Sequence, residues 1–134
     1  MAVPSRSARA PMASTPPVRS HRVLVVDDDA SLLDAIEAAF REAGEEVVAS
    51  RSFEEARRIL REQAFDVLIT DVRLGAFNGL QLAVIAHGLW PSIRVVVFSG
   101  FDDPVLRAEA EHMGATYLVK PVTSSELLTL IRAA

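Results

Sequence analysis

Three aspartates in a row, Asp27, Asp28 and Asp29, close the apolar run RVLVV, and a fourth, Asp71, closes VLIT. Ser99 and Gly100 follow VVVF, and Lys120, the one lysine among fourteen basic residues, stands just before Pro121. If these side chains share a crevice, the carboxylates need an answer to their charge, since two unit charges 4 Å apart at an effective dielectric near 20 repel by roughly 4 kcal/mol. Protonation is one answer and a divalent cation is the other. A set of oxygen ligands with no His or Cys nearby suits a hard ion, and so few ligands leave several waters in place, the usual mode for Mg²⁺. A carboxylate beside Mg²⁺ and an ammonium can accept a phosphoryl group, because that transfer is mostly positioning and charge neutralisation. In this scheme Asp71 is the nucleophile, Asp28 binds the metal directly and Asp27 assists through the metal or its water. Ser99 donates to one phosphoryl oxygen, and Lys120 pairs with another through a compact charge that a forked guanidinium would not supply.

Taken singly, these residues have ordinary structural readings: Asp29 or Ser31 as a helix cap, Ser99 as a turn residue, Lys120 as surface decoration. What gives them weight is the order of the elements that must carry them. From residue 22 onward, short β-branched runs alternate with helical periodicity, which predicts βα units around a parallel sheet. The spacing predicts strands over Arg22–Val26, Glu46–Ser50, Asp66–Thr70, Ile93–Phe98 and Thr116–Val119. Leu33, Ile36, Phe40 and Ala43 form one helical stripe, Leu82, Ala86 and Leu89 a second, and Leu106, Ala110 and Met113 a third. Ser52 with Glu55 and Thr123 with Glu126 predict capping boxes, and Gly44, Gly88 and Gly114 predict left-handed helix ends. In an open parallel sheet, ligands bind beyond the carboxyl ends of the strands, where every one of the polar residues above is expected to lie.

Bulk composition narrows the class. A chain of 134 residues, half of them apolar, makes one domain with a proper core. Residues 1–21 hold four of the seven prolines and read as a disordered Pro/Ser/Arg-rich tail ahead of a domain over 22–134. That domain carries 11 basic against 18 acidic residues, a balance that argues against direct nucleic-acid binding. The absence of cysteine excludes disulfides and thiolate chemistry and fits a cytoplasmic setting, and no apolar run is long enough to span a membrane.

With these residues in hand, the chain closely resembles the bacterial response-regulator receiver domains of two-component signalling. The resemblance rests on VLVVDDD (23–29), FDVLITDVRLGAFNG (65–79), VVVFSG (95–100) and GATYLVKP (114–121). It implies a flavodoxin-like (βα)5 fold, a doubly wound parallel five-stranded sheet of order 2-1-3-4-5. It also implies that a sensor histidine kinase or histidine phosphotransfer protein supplies the phosphoryl group to Asp71. The backbone carbonyl of Arg73 would complete the Mg²⁺ site, and the Lys120–Pro121 peptide bond would be cis. Ser99 and Tyr117 would act as switch residues that reshape a face running from the fourth to the fifth helix, where a downstream protein target docks. Gly75 departs from the family, in which a proline is common four residues after the acceptor.

On this reading the protein is not an enzyme beyond its own phosphorylation and dephosphorylation, and it works as a single-domain regulator through partners. Two alternatives stand beside it. One is a degenerate receiver serving as an unphosphorylated interaction module. The other is a Mg²⁺-dependent aspartyl-phosphate phosphatase of the haloacid-dehalogenase type, whose substrate-capping insertion has little room here.

Overall fold

The computed structural model describes residues 20–133, so the expected tail lies, save its last two residues, outside the described part. Ten main elements alternate along the chain: β1 (Arg22–Val26), α1 (Ala30–Glu42), β2 (Glu46–Ser50), α2 (Phe53–Glu62), β3 (Val67–Asp71), α3 (Gly79–Leu89), β4 (Arg94–Ser99), α4 (Pro104–His112), β5 (Thr116–Val119) and α5 (Ser124–Arg132). Between β3 and α3 a small antiparallel hairpin pairs Arg73–Leu74 with Phe77–Asn78, and its strands are left out of the numbering. The five main strands are all parallel, in the order β2-β1-β3-β4-β5. This is the flavodoxin-like arrangement that the resemblance implied.

Strand alternation divides the core into two layers. Val23, Val25, Val67, Ile69, Val96 and Phe98 face Leu33, Ile36, Phe40, Leu127 and Ile131 of α1 and α5. On the other side Leu24, Val26, Leu68, Val95 and Val97 pack against Phe53, Leu60, Leu82 and Ala86 of α2 and α3. β1 and β3 sit in the middle of the sheet, and every residue of β3 is buried. That explains their unbroken apolar runs, which lack the polar alternation of a one-sided sheet.

The structure corrects several local expectations. β3 and β4 each start and end one residue later than the spacing predicts, which places Asp71 and Ser99 on the last rung of the sheet. Gly44 and Gly114 take the left-handed conformation, with φ of 90° and 79°, but Gly88 does not, because α3 runs through it to Leu89. Leu89 is exposed, so the α3 stripe ends at Ala86. Thr123 and Glu126 form a complete capping box, whereas the Glu55 carboxylate turns to the Ser50 hydroxyl and leaves the Ser52 cap one-sided.

Candidate functional site

Asp27 immediately follows β1, and its backbone N–H donates to the Ser50 carbonyl, extending the β1–β2 ladder by one rung. Its side chain is fully buried and points along the carboxyl edge of the sheet, where Oδ1 accepts the Asp29 N–H at 2.9 Å. Asp29 itself turns away to cap α1, accepting the Leu32 N–H, so the third aspartate of the triplet is structural. Asp28 lies between them and is exposed. Asp71 closes β3 and is 8% exposed. One oxygen each from Asp27, Asp28 and Asp71 lies within 4.8 Å of the others, a spacing that a single cation can bridge.

Lys120 completes the cluster from the other side. Its backbone N–H donates to the Ser99 carbonyl at 2.7 Å, which extends β5 beside β4 and aims the side chain back across the sheet edge. Its Nζ donates to Asp27 Oδ2 at 2.9 Å and to Asp71 Oδ2 at 3.4 Å, with the Phe98 ring centroid 4.8 Å away. The Lys120–Pro121 bond is cis. Burial opposes the charged form of Lys120, but its bonds to Asp27 and attraction to both carboxylates prevail and hold the ammonium above the usual lysine range. Asp71 moves the same way for a different cause: burial, then the Asp27 charge, raise it above the usual carboxylate range despite Lys120 and the Arg73 N–H. Three carboxylates thus face one ammonium, which is the electrostatic setting of a cation site.

Ser99 ends β4 buried, and its Oγ accepts the Phe101 N–H at 3.2 Å while keeping its own hydrogen to donate. The Tyr117 ring is buried under α4 and its hydroxyl donates to the Phe101 carbonyl at 2.8 Å. Ser99 and Tyr117 thus hold the same β4–α4 loop from opposite ends of one residue. The Arg107 guanidinium lies 4.9 Å from the Tyr117 ring centroid and pairs with Asp102, fastening the first turns of α4 to that loop. Arg73 donates its N–H to Asp71 Oδ1 at 3.3 Å, and its guanidinium sits over the exposed Phe101 ring.

Two residues that sequence reading passed over also shape the site. The buried Thr70 hydroxyl donates to the Asp71 carbonyl at 2.9 Å. Gly79, the first residue of α3, donates its N–H to the Val72 carbonyl at 2.7 Å and rests so close to Asp71 that any Cβ there would collide with the Asp71 carbonyl oxygen. Thr70 reads in the sequence as a plain strand residue. Gly79 carries a signal only in hindsight, as a glycine directly after the Asn78 that caps α3.

Comparison with known proteins places these residues in context. Residues 23–132 match the family model of the response regulator receiver domain. The response regulator protein FleR of Pseudomonas aeruginosa is 33% identical over 82% of this chain, and the transcriptional regulatory protein PrrA of Mycobacterium tuberculosis is 34% identical over 87%. The chain spans 24% of the first and 50% of the second. Among solved structures, a CheY-like receiver domain protein from Methanospirillum hungatei superposes with a TM-score of 0.80 at 27% identity, over 85% of this chain and 92% of the other. A response regulator from Burkholderia pseudomallei, solved with a phosphorylated aspartic acid and a calcium ion, gives 0.77 at 25% identity, over 82% of this chain and 65% of that one.

Proposed function

The chain belongs to the response regulator receiver domain family, and on that footing we propose that Asp71 accepts a phosphoryl group and so switches a partner-binding surface. The observation that carries this reading is the convergence of the Asp27, Asp28 and Asp71 carboxylates, with Lys120 bonded to two of them. A sensor histidine kinase or a histidine phosphotransfer protein is the phosphodonor. An Asp71 carboxylate oxygen attacks phosphorus, the bond from phosphorus to the donor's imidazole nitrogen breaks, and the electron pair leaves with the imidazole. Lys120 meets one phosphoryl oxygen, and the Ser99 hydroxyl donates to another.

The donor set fits Mg²⁺: three carboxylates and no nitrogen or sulfur ligand, one of them exposed so that water keeps part of the shell. Asp28 and Asp71 would hold the ion directly, with Asp27 through the ion or its water, and the Arg73 carbonyl would complete the set. When bound, Mg²⁺ neutralises charge that builds on the phosphoryl oxygens. Signal output runs from Ser99 through the Phe101 peptide to Tyr117, and from there to the face formed by α4, β5 and α5, where a downstream protein docks. Work in the cytoplasm and a Pro/Ser/Arg-rich tail ahead of the domain remain part of this proposal.

Incubation with acetyl phosphate and Mg²⁺ tests the assignment by intact mass. One phosphoryl group is expected on the wild type, none on Asp71→Asn and none when the metal is chelated. Equal labelling of wild type and Asp71→Asn would overturn it, and absence of labelling in the wild type would instead favour an unphosphorylated interaction module.

A further inference from the structure

The carboxylate cluster is assembled from two halves, and different contacts hold each side of it. Toward the sheet, Lys120 bonds both Asp27 and Asp71 and fixes their spacing. Asp28 lies on the exposed side, outside both of those bonds. The turn between β2 and α2 holds that side: the Ser50 carbonyl accepts the Asp27 N–H, and the Arg51 guanidinium donates to the Asp28 carbonyl at 3.4 Å. Asp71 is held instead by the hairpin after β3, whose first residue, Arg73, donates its N–H to Asp71 Oδ1 at 3.3 Å. A cation shared by Asp28 and Asp71 therefore depends on how the β2–α2 turn and the hairpin sit against each other.

One contact joins them directly. The hairpin has two residues in each strand and turns at Gly75, whose φ is 63°, so its backbone pairing alone is marginal. Leu74 and Phe77 stand directly opposite one another across it and so share a face. Leu74 enters the core, while the Phe77 ring lies flat on that of Phe53, the first residue of α2, with centroids 4.5 Å apart and planes 11° from parallel. Phe53 is buried, yet Phe77 is 44% exposed, so its ring is held more by this one stack than by the core. A cleft of about 280 Å³ between the two segments is lined by Asp28, Arg51, Phe53, Leu74 and Phe77, which puts the stack and the exposed carboxylate on one cavity.

We propose that Phe77 is a positioning residue for the cation site: stacked on Phe53, it braces the hairpin against the β2–α2 turn and so sets the separation of Asp28 and Asp71 that the ion must bridge. The inference rests on the Mg²⁺ site proposed above and adds the side chain that keeps its two halves in register. Mg²⁺ demands near-ideal octahedral geometry, so a carboxylate pair free to drift apart binds it less well. The brace acts on the affinity for the ion and not on the transfer of the phosphoryl group, and excess Mg²⁺ should make good its loss.

Titration calorimetry of the full chain with MgCl₂ reads this affinity without any phosphorylation. The dissociation constant should rise about 3- to 10-fold in Phe77→Ala, the worth of an aromatic pair expressed in binding, and stay within about 2-fold of wild type in Phe77→Tyr, which keeps the ring. With acetyl phosphate as donor, the half-saturating Mg²⁺ concentration of Phe77→Ala should move by the calorimetric factor, while its rate at saturating Mg²⁺ matches the wild type. If Phe77→Ala loses the native circular dichroism spectrum, Phe77→Leu takes its place, with a rise of about 2- to 4-fold for the lost stacking alone. Wild-type affinity in the folded variant without the ring overturns the proposal, as does equal weakening in Phe77→Tyr. A wild type that binds Mg²⁺ but accepts no phosphoryl group refutes acceptance at Asp71, and the calorimetric comparison still decides the brace. A wild type that binds no Mg²⁺ overturns the metal site and the brace together.

Discussion

Asp71 occupies a position that favours chemistry over stability. Burial and the Asp27 charge raise its carboxyl above the usual range, so ionising it at neutral pH works against the folded state. The sign follows directly: a carboxyl raised on folding adds stability below its unfolded pKa, near 3.9, and that contribution is lost as pH rises through the folded value. Asp71→Asn, measured by thermal unfolding with a chelator present, should therefore gain about 1 kcal/mol at neutral pH, a rise in Tm of roughly 5 °C. The gain should fade toward pH 3, where both states of the wild type are protonated. Equal stability of the two proteins at neutral pH would show that Lys120 already balances the site. The gathering of Asp27, Asp28 and Asp71 was legible in the sequence, because polar residues closing several parallel strands must share the carboxyl edge of the sheet. The sequence left open whether the Asp71 carboxyl would be raised, since that depends first on how deeply it is buried and then on Asp27 meeting it across two strands.

At the scale of elements, the segment from β3 to α3 fixes the direction of Asp71. Thr70 bonds the Asp71 carbonyl, Gly79 bonds the Val72 carbonyl, and the hairpin between them returns the chain to α3. Gly79→Ala would push a methyl group into the Asp71 carbonyl oxygen, and backbone must move to relieve it. We expect a loss of about 3 kcal/mol in urea unfolding, the upper end of overpacking costs. Phosphoryl acceptance should fall in the molecules that still fold, and a variant of native stability would remove Gly79 from this role. Glycines also mark where sequence reading stops. Gly44, Gly88 and Gly114 look alike beside their helices, yet only Gly44 and Gly114 have positive φ, because α3 has room and partners to continue past Gly88. Strand number, order of elements and the Thr123–Glu126 box were local patterns and could be read. The Asn78–Gln81 box was missed because the hairpin that presents Asn78 has only two residues per strand.

Across the whole molecule, the acidic site at the carboxyl edge of the sheet is matched by a second buried carboxylate at the opposite end. Glu45 is 4% exposed; it accepts the His21 N–H on Oε1 and the Arg132 Nε–H on Oε2, each at 2.7 Å. Burial alone would raise its carboxyl, but the His21 N–H, Arg132 and the His21 ring outweigh it and hold the group below the usual range. Stability from Glu45 is thus present above its unfolded pKa and lost as pH falls through the lower folded value. Glu45→Gln should cost about 2 kcal/mol at neutral pH, the worth of hydrogen bonds to a charged group, with the difference closing below about pH 4. A constant difference at all pH values would point to shape rather than charge. No local pattern announced this network, because its members are 24 and 87 residues apart in the chain. It has a practical corollary. Since the residue just ahead of the first strand and the last helix's closing arginine grip one carboxyl group, the two ends of the described domain meet at a shared doorway. A unit with that layout can be spliced into a host loop, or sewn end to end and reopened at the exposed Gly75–Ala76 bend, without stretching its sheet.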